Sequence, residues 1–201
     1  MRTLAIETTG AACSVALFDG ETLLDAGHEV VGRGHAERLL PMIATLPGGG
    51  RADAILVDIG PGSFTGVRVG VAAARALGFG WGAAVSGFES LALLAAMDGA
   101  RDTTAVAIEG GHGELFIARY ALDGSTVEAP RSLPFAAAVA GVSMQRVVGN
   151  AALRLVEARG WGEAVPLEPD ARAAFRLPSA ARTRKPTPFY GRAADAKATA
   201  R

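Results

Sequence analysis

Two short polar motifs have the residue types and spacing that could hold a phosphate group, and Glu7-Thr8-Thr9-Gly10 is the first. It follows an apolar run and places one carboxylate before two hydroxyls in a turn. Turn amides and hydroxyls donate to phosphate oxygens, and a carboxylate can order a metal-bound water. The same residues suit a hairpin turn that satisfies its own backbone, and the spacing alone favours that interpretation.

The second motif is the glycine-rich segment 60–68, GPGSFTGVR, between a predicted strand and a predicted helix. Free amides at a helix N-terminus attract anions. The segment lacks the Gly-Lys-Ser/Thr ending of a Walker loop and the Gly-x-Ser-x-Gly of a nucleophile elbow. Ser63 is the expected helix cap, while Arg68 could meet an anion or Asp58. The candidate nucleotide- or anion-binding residues are therefore Glu7, Thr8, Gly62, Ser63, Thr65 and Arg68.

Metal and nucleophile chemistry finds little support in the sequence. His28, His35 and His112 show no ligand spacing, and position 39, one turn after His35, is Leu. Cys13 lies in an apolar run typical of a core position, and a single Cys excludes a disulfide framework. We therefore predict no metal site and no catalytic residue.

The composition of the chain narrows the possible classes of protein further. The 201 residues carry 20 basic and 20 acidic side chains and are 50% hydrophobic, which excludes a disordered chain. Net neutrality argues against binding nucleic acid through bulk electrostatics alone. An acid at position 7 and the lack of a run of about 20 apolar residues argue against a signal peptide and a membrane span, so we expect a cytoplasmic protein.

Charge is unevenly distributed along the chain. Residues 1–100 hold 6 basic against 10 acidic side chains, residues 101–150 hold 4 against 5, and residues 151–201 hold 10 against 5. The basic end could reach phosphates, although a solvated terminus often has this composition.

Hydrophobic patterning predicts the order β-β-β-α-β-α-β-α over residues 1–98 and a weaker repeat of that order afterwards. Such an order favours an α/β protein with two related βββαβα lobes and mixed sheets. The predicted divisions are an N-terminal lobe at 1–100, a smaller lobe at 101–180 and an extended basic tail at 181–201. The helix predicted from Val67 to Phe79 is small and apolar on nearly every side, which indicates burial on several faces or contact with another chain.

Several segments together resemble the TsaB (YeaZ) family, a glycoprotease-like group. The resemblance rests on LAIET at 4–8, ACSVA at 12–16, HAERLLP at 35–41 and GPGSFTGVRVG at 60–70, and more loosely on PFYGRAADAK at 188–197. The chain departs from the family pattern at Glu7, where an Asp is usual, and at 109–114, where an Asp-Ala-Arg-type segment is common.

The resemblance implies an actin/Hsp70-like (ASKHA) fold and a non-catalytic scaffold role in tRNA modification. In that role the chain docks the catalytic paralogue TsaD and works with the ATPase TsaE. TsaD transfers threonylcarbamoyl from threonylcarbamoyl-AMP to the adenosine beside the anticodon. No cofactor is expected on this chain alone, ATP or ADP at the partner interface and a homodimer stay open, and tRNA is contacted indirectly or through the basic tail.

The resemblance also places the partner interface on helices of the first lobe. The matching positions are Leu39, Leu40, Ile43, Val67, Gly70, Val71 and Ala74. The alternative is an enzyme of the same fold: a small-molecule kinase with ATP beside Glu7, Thr8 and the glycine-rich loop, or a peptidase-like hydrolase.

Overall fold

Two five-stranded sheets with the same strand order organise the chain. The computed structural model describes residues 1–99 and 102–191. The first sheet has the order β3-β2-β1-β4-β5, and the second has the order β8-β7-β6-β9-β10. Each sheet pairs three antiparallel strands in sequence and then adds two parallel ones. The predicted α/β fold with two related lobes and mixed sheets is confirmed.

The first lobe contains five strands and three helices. They are β1 (Arg2–Glu7), β2 (Ala12–Asp19), β3 (Thr22–Val30), α1 (His35–Thr45), β4 (Ala54–Asp58), α2 (Phe64–Trp81), β5 (Ala84–Phe88) and α3 (Ser90–Asp98). Helix α2 begins three residues earlier than predicted because the Ser63 side chain caps it. Pro41 lies inside α1 on its exposed side.

The second lobe repeats this order with shorter helices. Its elements are β6 (Thr104–Gly111), β7 (Glu114–Tyr120), β8 (Thr126–Pro134), α4 (Phe135–Gly141), β9 (Arg146–Val148), α5 (Ala152–Arg159) and β10 (Glu163–Val165). The helix predicted over 170–176 is a 3₁₀ turn, Ala171–Arg176, whose first turn is capped by Asp170.

Helices α1 and α2 cover one face of the first sheet. Their apolar sides pack with β1, β2 and β4 into a single core. This core contains most of the residues predicted to contact a partner. Leu39, Ile43, Val67, Gly70, Val71 and Ala74 are buried within the chain itself, so their side chains pack in its own core and are not exposed to a partner. Leu40 is 52% exposed and stays a candidate.

Helix α3 lies between the two sheets and joins the lobes. Leu93 packs with Phe18 and Leu56 of the first sheet, while Leu91 and Leu94 pack with strands of the second sheet. The 3₁₀ turn at Ala171–Arg176 also packs against the first sheet. The last part of the predicted 101–180 lobe therefore helps to cover the first lobe.

Residues 183–191, here called the C-terminal strap, run along the first lobe. The amide and carbonyl of Arg184 pair with those of Gly87 in β5. The Phe189 amide donates to the Ile59 carbonyl, and the Phe189 ring packs against the core under α2. Within the predicted tail, the strap is thus held by backbone hydrogen bonds, while residues 192–201 lie outside the described residues.

Within residues 1–99 and 102–191, no helix combines the length and apolar character needed to cross a membrane.

Glycines of α2 provide a test of the packing. A Cβ on Gly66 would overlap the Thr8 carbonyl oxygen, whereas a Cβ on Gly80 would meet nothing within 4 Å. We expect Gly66→Ala to lower the free energy of unfolding by about 3 kcal/mol, since backbone overlap forces the helix away from the sheet. Gly80→Ala should raise it by about 0.5–1 kcal/mol through helix propensity.

Urea denaturation of both variants measures the two effects. Equal midpoints for Gly66→Ala and the wild-type protein would show that α2 does not approach the turn as closely as the structure has it.

Candidate functional site

The two polar motifs meet at one edge of the first sheet. Strands β1 and β4 are parallel neighbours, so the turn after β1 and the glycine-rich loop after β4 emerge side by side. The Ser63 amide donates to the Thr9 carbonyl at 2.8 Å, and the Thr8 hydroxyl donates to the Gly66 carbonyl at 2.7 Å. The motifs are therefore adjacent, as a phosphate site would require, but they bind each other.

The glycines of the loop serve this internal contact. A Cβ on Gly62 would lie 2.5 Å from the Thr9 carbonyl oxygen, and one on Gly66 would overlap the Thr8 carbonyl. The Gly66 amide, at the start of α2, donates to the Ser63 hydroxyl at 3.2 Å. The amides of Ser63 and Gly66, which the sequence offers to an anion, are thus satisfied by the chain itself.

Beneath this contact lies a buried carboxyl cluster formed by Glu7, Thr9, Asp58 and Ser90. All four residues are at most 3% exposed. Glu7 Oε1 accepts from the Thr9 amide at 2.5 Å, from the Thr9 hydroxyl at 2.8 Å and from the Gly10 amide at 3.3 Å. Asp58 Oδ1 accepts from the Ser90 hydroxyl at 2.7 Å and from the Gly60 amide at 2.8 Å. The Thr9 and Ser90 hydroxyl oxygens are 3.0 Å apart, which links the two carboxyl groups.

Burial makes ionisation of both carboxyl groups costly. Burial raises the pKa of Glu7 to about 7, hydrogen bonds from Thr9 and Gly10 oppose the shift, and the Glu168 carboxylate adds to it. Burial and the neighbouring Glu7 raise the pKa of Asp58 well above its usual range. The contact between the Thr9 and Ser90 hydroxyls allows the cluster to hold one extra proton, carried by a carboxyl group. A protonated Glu7 can donate to Thr9, Thr9 to Ser90, and Ser90 to Asp58.

The second lobe closes over this cluster. A Cβ on Gly10 would lie 2.8 Å from Glu168 Oε2, and Asn150 Nδ2 donates to the same oxygen at 3.4 Å. The Ala171 amide donates to the Ser14 hydroxyl at 3.0 Å, and that hydroxyl reaches Glu7 Oε2 at 3.5 Å. Of the ion pairs among residues 1–99 and 102–191, none involves Glu7 or Asp58. The cluster is therefore acidic, buried and internally bonded, which suits a structural role.

The remaining predicted anion-binding residues lie outside the cluster. Ser63 and Thr65 are exposed at the start of α2. Arg68 is also exposed; its Nε donates to the Tyr190 hydroxyl at 2.9 Å, and its guanidinium lies 3.6 Å from the Phe64 ring centroid. Arg68 thus contacts the C-terminal strap, and the suggested contact with Asp58 is wrong.

The histidines and the cysteine have structural surroundings. His35 Nε2 lies 3.1 Å from the Ala12 carbonyl, and His28 Nδ1 lies 3.3 Å from Asp170 Oδ2. Burial raises the pKa of the Cys13 thiol to about 11. Across the described part of the chain, no group of three His, Cys, Asp or Glu side chains is arranged to hold a metal.

Sequence reasoning missed two participants in this region. Ser90 and Glu168 are separated from the motifs by long stretches of sequence, and nothing in their neighbourhoods marks them. Asp58 was named only as a possible partner of Arg68, although its place as the single acid in an otherwise apolar strand was a usable signal.

The repeated sheet order and the paired strand-end motifs define the class of two-lobed α/β proteins with the actin/Hsp70-like (ASKHA) fold. A family model described as "TsaD: tRNA N6-adenosine threonylcarbamoyltransferase" matches residues 28–198. The chain belongs to this family, and its similarities within it are to the TsaB (YeaZ) proteins.

Curated relatives share this similarity in sequence. TsaB of Escherichia coli, a tRNA threonylcarbamoyladenosine biosynthesis protein, is 39% identical over 132 residues, which cover 61% of this chain and 56% of the relative. TsaB of Haemophilus influenzae is 45% identical over 83 residues, which cover 38% of this chain and 34% of the relative. The alignments thus span about half or less of these relatives.

Solved structures extend the similarity to most of the chain. YeaZ from Pseudomonas aeruginosa has a TM-score of 0.77 at 28% identity and covers 94% of this chain and 99% of its own. The ethanolamine utilization protein EutJ from Carboxydothermus hydrogenoformans has a TM-score of 0.51 at 14% identity, which supports the fold alone.

Replacing the buried acid tests the carboxyl cluster. Because the pKa of Glu7 is about 7 in the folded chain and near 4.5 when unfolded, the folded state binds more protons between these values. Wild-type stability should therefore fall as pH rises from 4.5 to 7, by up to about 3 kcal/mol. Glu7→Gln keeps the acceptor oxygen without the charge, so it should be more stable than the wild-type protein at pH 8 and lose that advantage near pH 4.5.

The measurement is urea denaturation at several pH values, with Asp25→Asn on the exposed strand β3 as the control. The control should follow the wild-type curve. A Glu7→Gln protein whose stability runs parallel to the wild-type protein at every pH would show that Glu7 is ionised in the fold.

Proposed function

We propose that this chain is a non-catalytic scaffold subunit of the complex that makes N6-threonylcarbamoyladenosine in tRNA, acting in the cytoplasm. The observation that carries the proposal is the closure of the strand-end site. Its motifs bind each other and its acids are buried, while the helices above present an exposed apolar face. Family membership and the printed role of the E. coli relative in this biosynthesis support the same function.

The closure of the strand-end site disfavours the kinase alternative. A triphosphate placed at the Thr8–Gly10 turn would find the Ser63 and Gly66 amides already bonded within the chain. Glu7 and Asp58 are fully buried beneath the turn, so neither carboxyl group is accessible to order a metal ion beside a phosphate. The hydrolase alternative lacks an accessible nucleophile there, since Ser90 is fully buried and bonded to Asp58. ATP or ADP therefore belongs, in this proposal, at an interface completed by a partner.

The surface that helices α1 and α2 expose to a partner is the helix-pair face, defined by exposed residues of both helices. In α1 these residues follow a four-residue spacing, and in α2 they lie on one side of the helix: Ala36, Leu40, Ala44, Ala72, Ala76 and Phe79. Phe79 is 94% exposed and Leu40 is 52% exposed. Small side chains between larger apolar ones allow another helix to approach closely, and contiguous exposed apolar patches mark protein contacts.

The proposed occupant of the helix-pair face is the catalytic paralogue TsaD, with the ATPase TsaE as a third component. A protein with the same two-lobed fold can present a matching helix pair, which favours pairing through equivalent surfaces. A scaffold activates its partner only by binding the active conformation more tightly than the inactive one. Self-association through the same face would give a homodimer.

Charge substitutions on the helix-pair face test the docking proposal. Leu40→Glu and Ala76→Arg should each reduce co-purification with the paralogue from the same organism by at least about 10-fold, because each places an unpaired charge in an apolar contact. Leu153→Glu, at a 50% exposed position of α5 in the second lobe, is the matched control. Val71 is unsuitable because it is only 3% exposed, so Val71→Glu should unfold the chain.

Circular dichroism would establish that the variants of the helix-pair face fold. Folded Leu40→Glu and Ala76→Arg proteins that retain the paralogue as well as the control does would exclude this face as the docking surface.

Calorimetric titration with Mg-ATP separates the scaffold from the kinase. The isolated chain should give no binding heat, because the turn and loop amides are already bonded and the region is acidic. Tight binding accompanied by ATP turnover would instead establish the enzyme interpretation.

A further inference from the structure

The C-terminal strap and one flank of α2 together form a basic ridge, defined here as Phe64, Arg68, Arg75, Lys185 and Tyr190. Arg75 Nη2 donates to the Thr187 hydroxyl at 3.5 Å, and Arg68 Nε donates to the Tyr190 hydroxyl at 2.9 Å. These contacts show that the strap runs beside α2 in the opposite direction. These contacts join residues more than 100 positions apart in sequence, and they bring the strap segment that carries Lys185 alongside the arginines of α2.

The cations of the ridge are exposed, and none has a carboxylate partner in the part of the chain that the structure describes. In residues 1–99 and 102–191, the ion pairs include none to Arg68, Arg75 or Lys185, whereas neighbouring Arg184 pairs with Glu89 at 3.0 Å. This positive strip lies on a lobe whose overall charge is negative. The ridge is thus a local concentration of positive charge available to an anionic partner.

One end of the ridge is aromatic. The Arg68 guanidinium lies 3.6 Å from the Phe64 ring centroid and 5.5 Å from that of Tyr190, and the two rings are 5.3 Å apart. Phe64 is nevertheless 56% exposed, so part of its ring surface stays accessible to solvent beside Arg68 and Tyr190. An aromatic face held in position by an arginine and a tyrosine can receive a planar group with little loss of side-chain entropy.

We propose that the basic ridge binds a single-stranded segment of RNA, with one base stacked on Phe64 and the backbone phosphates beside Arg75 and Lys185. The proposal rests on the proposed function, which supplies a structured RNA with an unpaired loop as substrate. Single strands are recognised by a positive groove or strip that follows the backbone, combined with aromatic side chains on which bases stack. The ridge has both features: the aromatic side chains lie at the start of α2, and the cations follow along the helix and the strap.

The ridge and the helix-pair face occupy neighbouring positions on the exposed side of α2. At 100° per residue, positions 64, 68 and 75 fall within about 40° of one another, and positions 79, 72 and 76 follow within about the next 80°. The two surfaces therefore adjoin, and co-purification of the ridge variants shows whether RNA and a protein partner use them separately.

The test is fluorescence anisotropy of the full chain with a labelled single-stranded RNA of about 12 nucleotides, a length within the range of known single-strand sites. Binding should weaken as salt increases. The double variant Arg75→Glu/Lys185→Glu should weaken binding at least about 10-fold and lower the salt dependence, since two phosphate contacts are lost. Phe64→Ala should weaken binding about 5- to 100-fold with unchanged salt dependence, because stacking carries no counterion release.

Arg51→Glu is the matched control, because Arg51 is exposed and lies before β4, at the opposite end of that strand from the glycine-rich loop. It should bind RNA within about two-fold of the wild-type protein. Equal affinities for the ridge variants and this control would overturn the proposal, as would equal binding of poly-glutamate and RNA.

Co-purification with the paralogue, measured on the same variants, separates this inference from the proposed function. Ridge variants that lose RNA and retain the paralogue support the ridge as an RNA surface. Ridge variants that lose the paralogue to the same degree as RNA would show that the ridge belongs to the protein interface, which overturns the proposal. Failure of the wild-type chain to bind the paralogue would remove the proposed function while leaving the RNA measurement to stand.

Discussion

The close contact between the turn after β1 and the start of α2 is the constraint on which the rest of the structure depends. Gly62 and Gly66 leave no room for a side chain against the Thr8 and Thr9 carbonyls, so α2 can lie directly on the strand ends. That position fixes which side of α2 enters the core. It also determines which side remains outside, and the outer side carries both surfaces proposed to bind partners.

The same contact explains why motifs suited to an anion do not form an open anion site. Amides that would donate to a phosphate donate to Thr9 and Ser63, and the Glu7 carboxylate accepts from the following turn. The second lobe then covers the turn with Glu168. A region closed in this way has a stability that is expected to depend on pH, because its carboxyl groups are buried.

Helix α2 therefore connects the core to function. Its small residues allow burial on one side, its apolar flank joins α1 in the helix-pair face, and its cationic flank joins the C-terminal strap. Because the strap is anchored to Ile59 and Gly87, the position of Tyr190 is set by the first lobe. The two proposed surfaces therefore lie next to each other on the exposed side of a single helix.

The sequence by itself determined the order of the elements, the two related lobes, the Ser63 cap and the resemblance to the TsaB family. These follow from local periodicity, turn residues and contiguous motifs, which the chain carries over short distances. Tertiary structure alone decided that Val71 and Leu39 face the chain's own sheet, that Thr9 joins Glu7 to Asp58, and that Arg68 meets Tyr190. The physical reason is that an apolar side of a helix is driven out of water whichever surface covers it. Only the packing of distant segments shows whether that surface belongs to the same chain or to another.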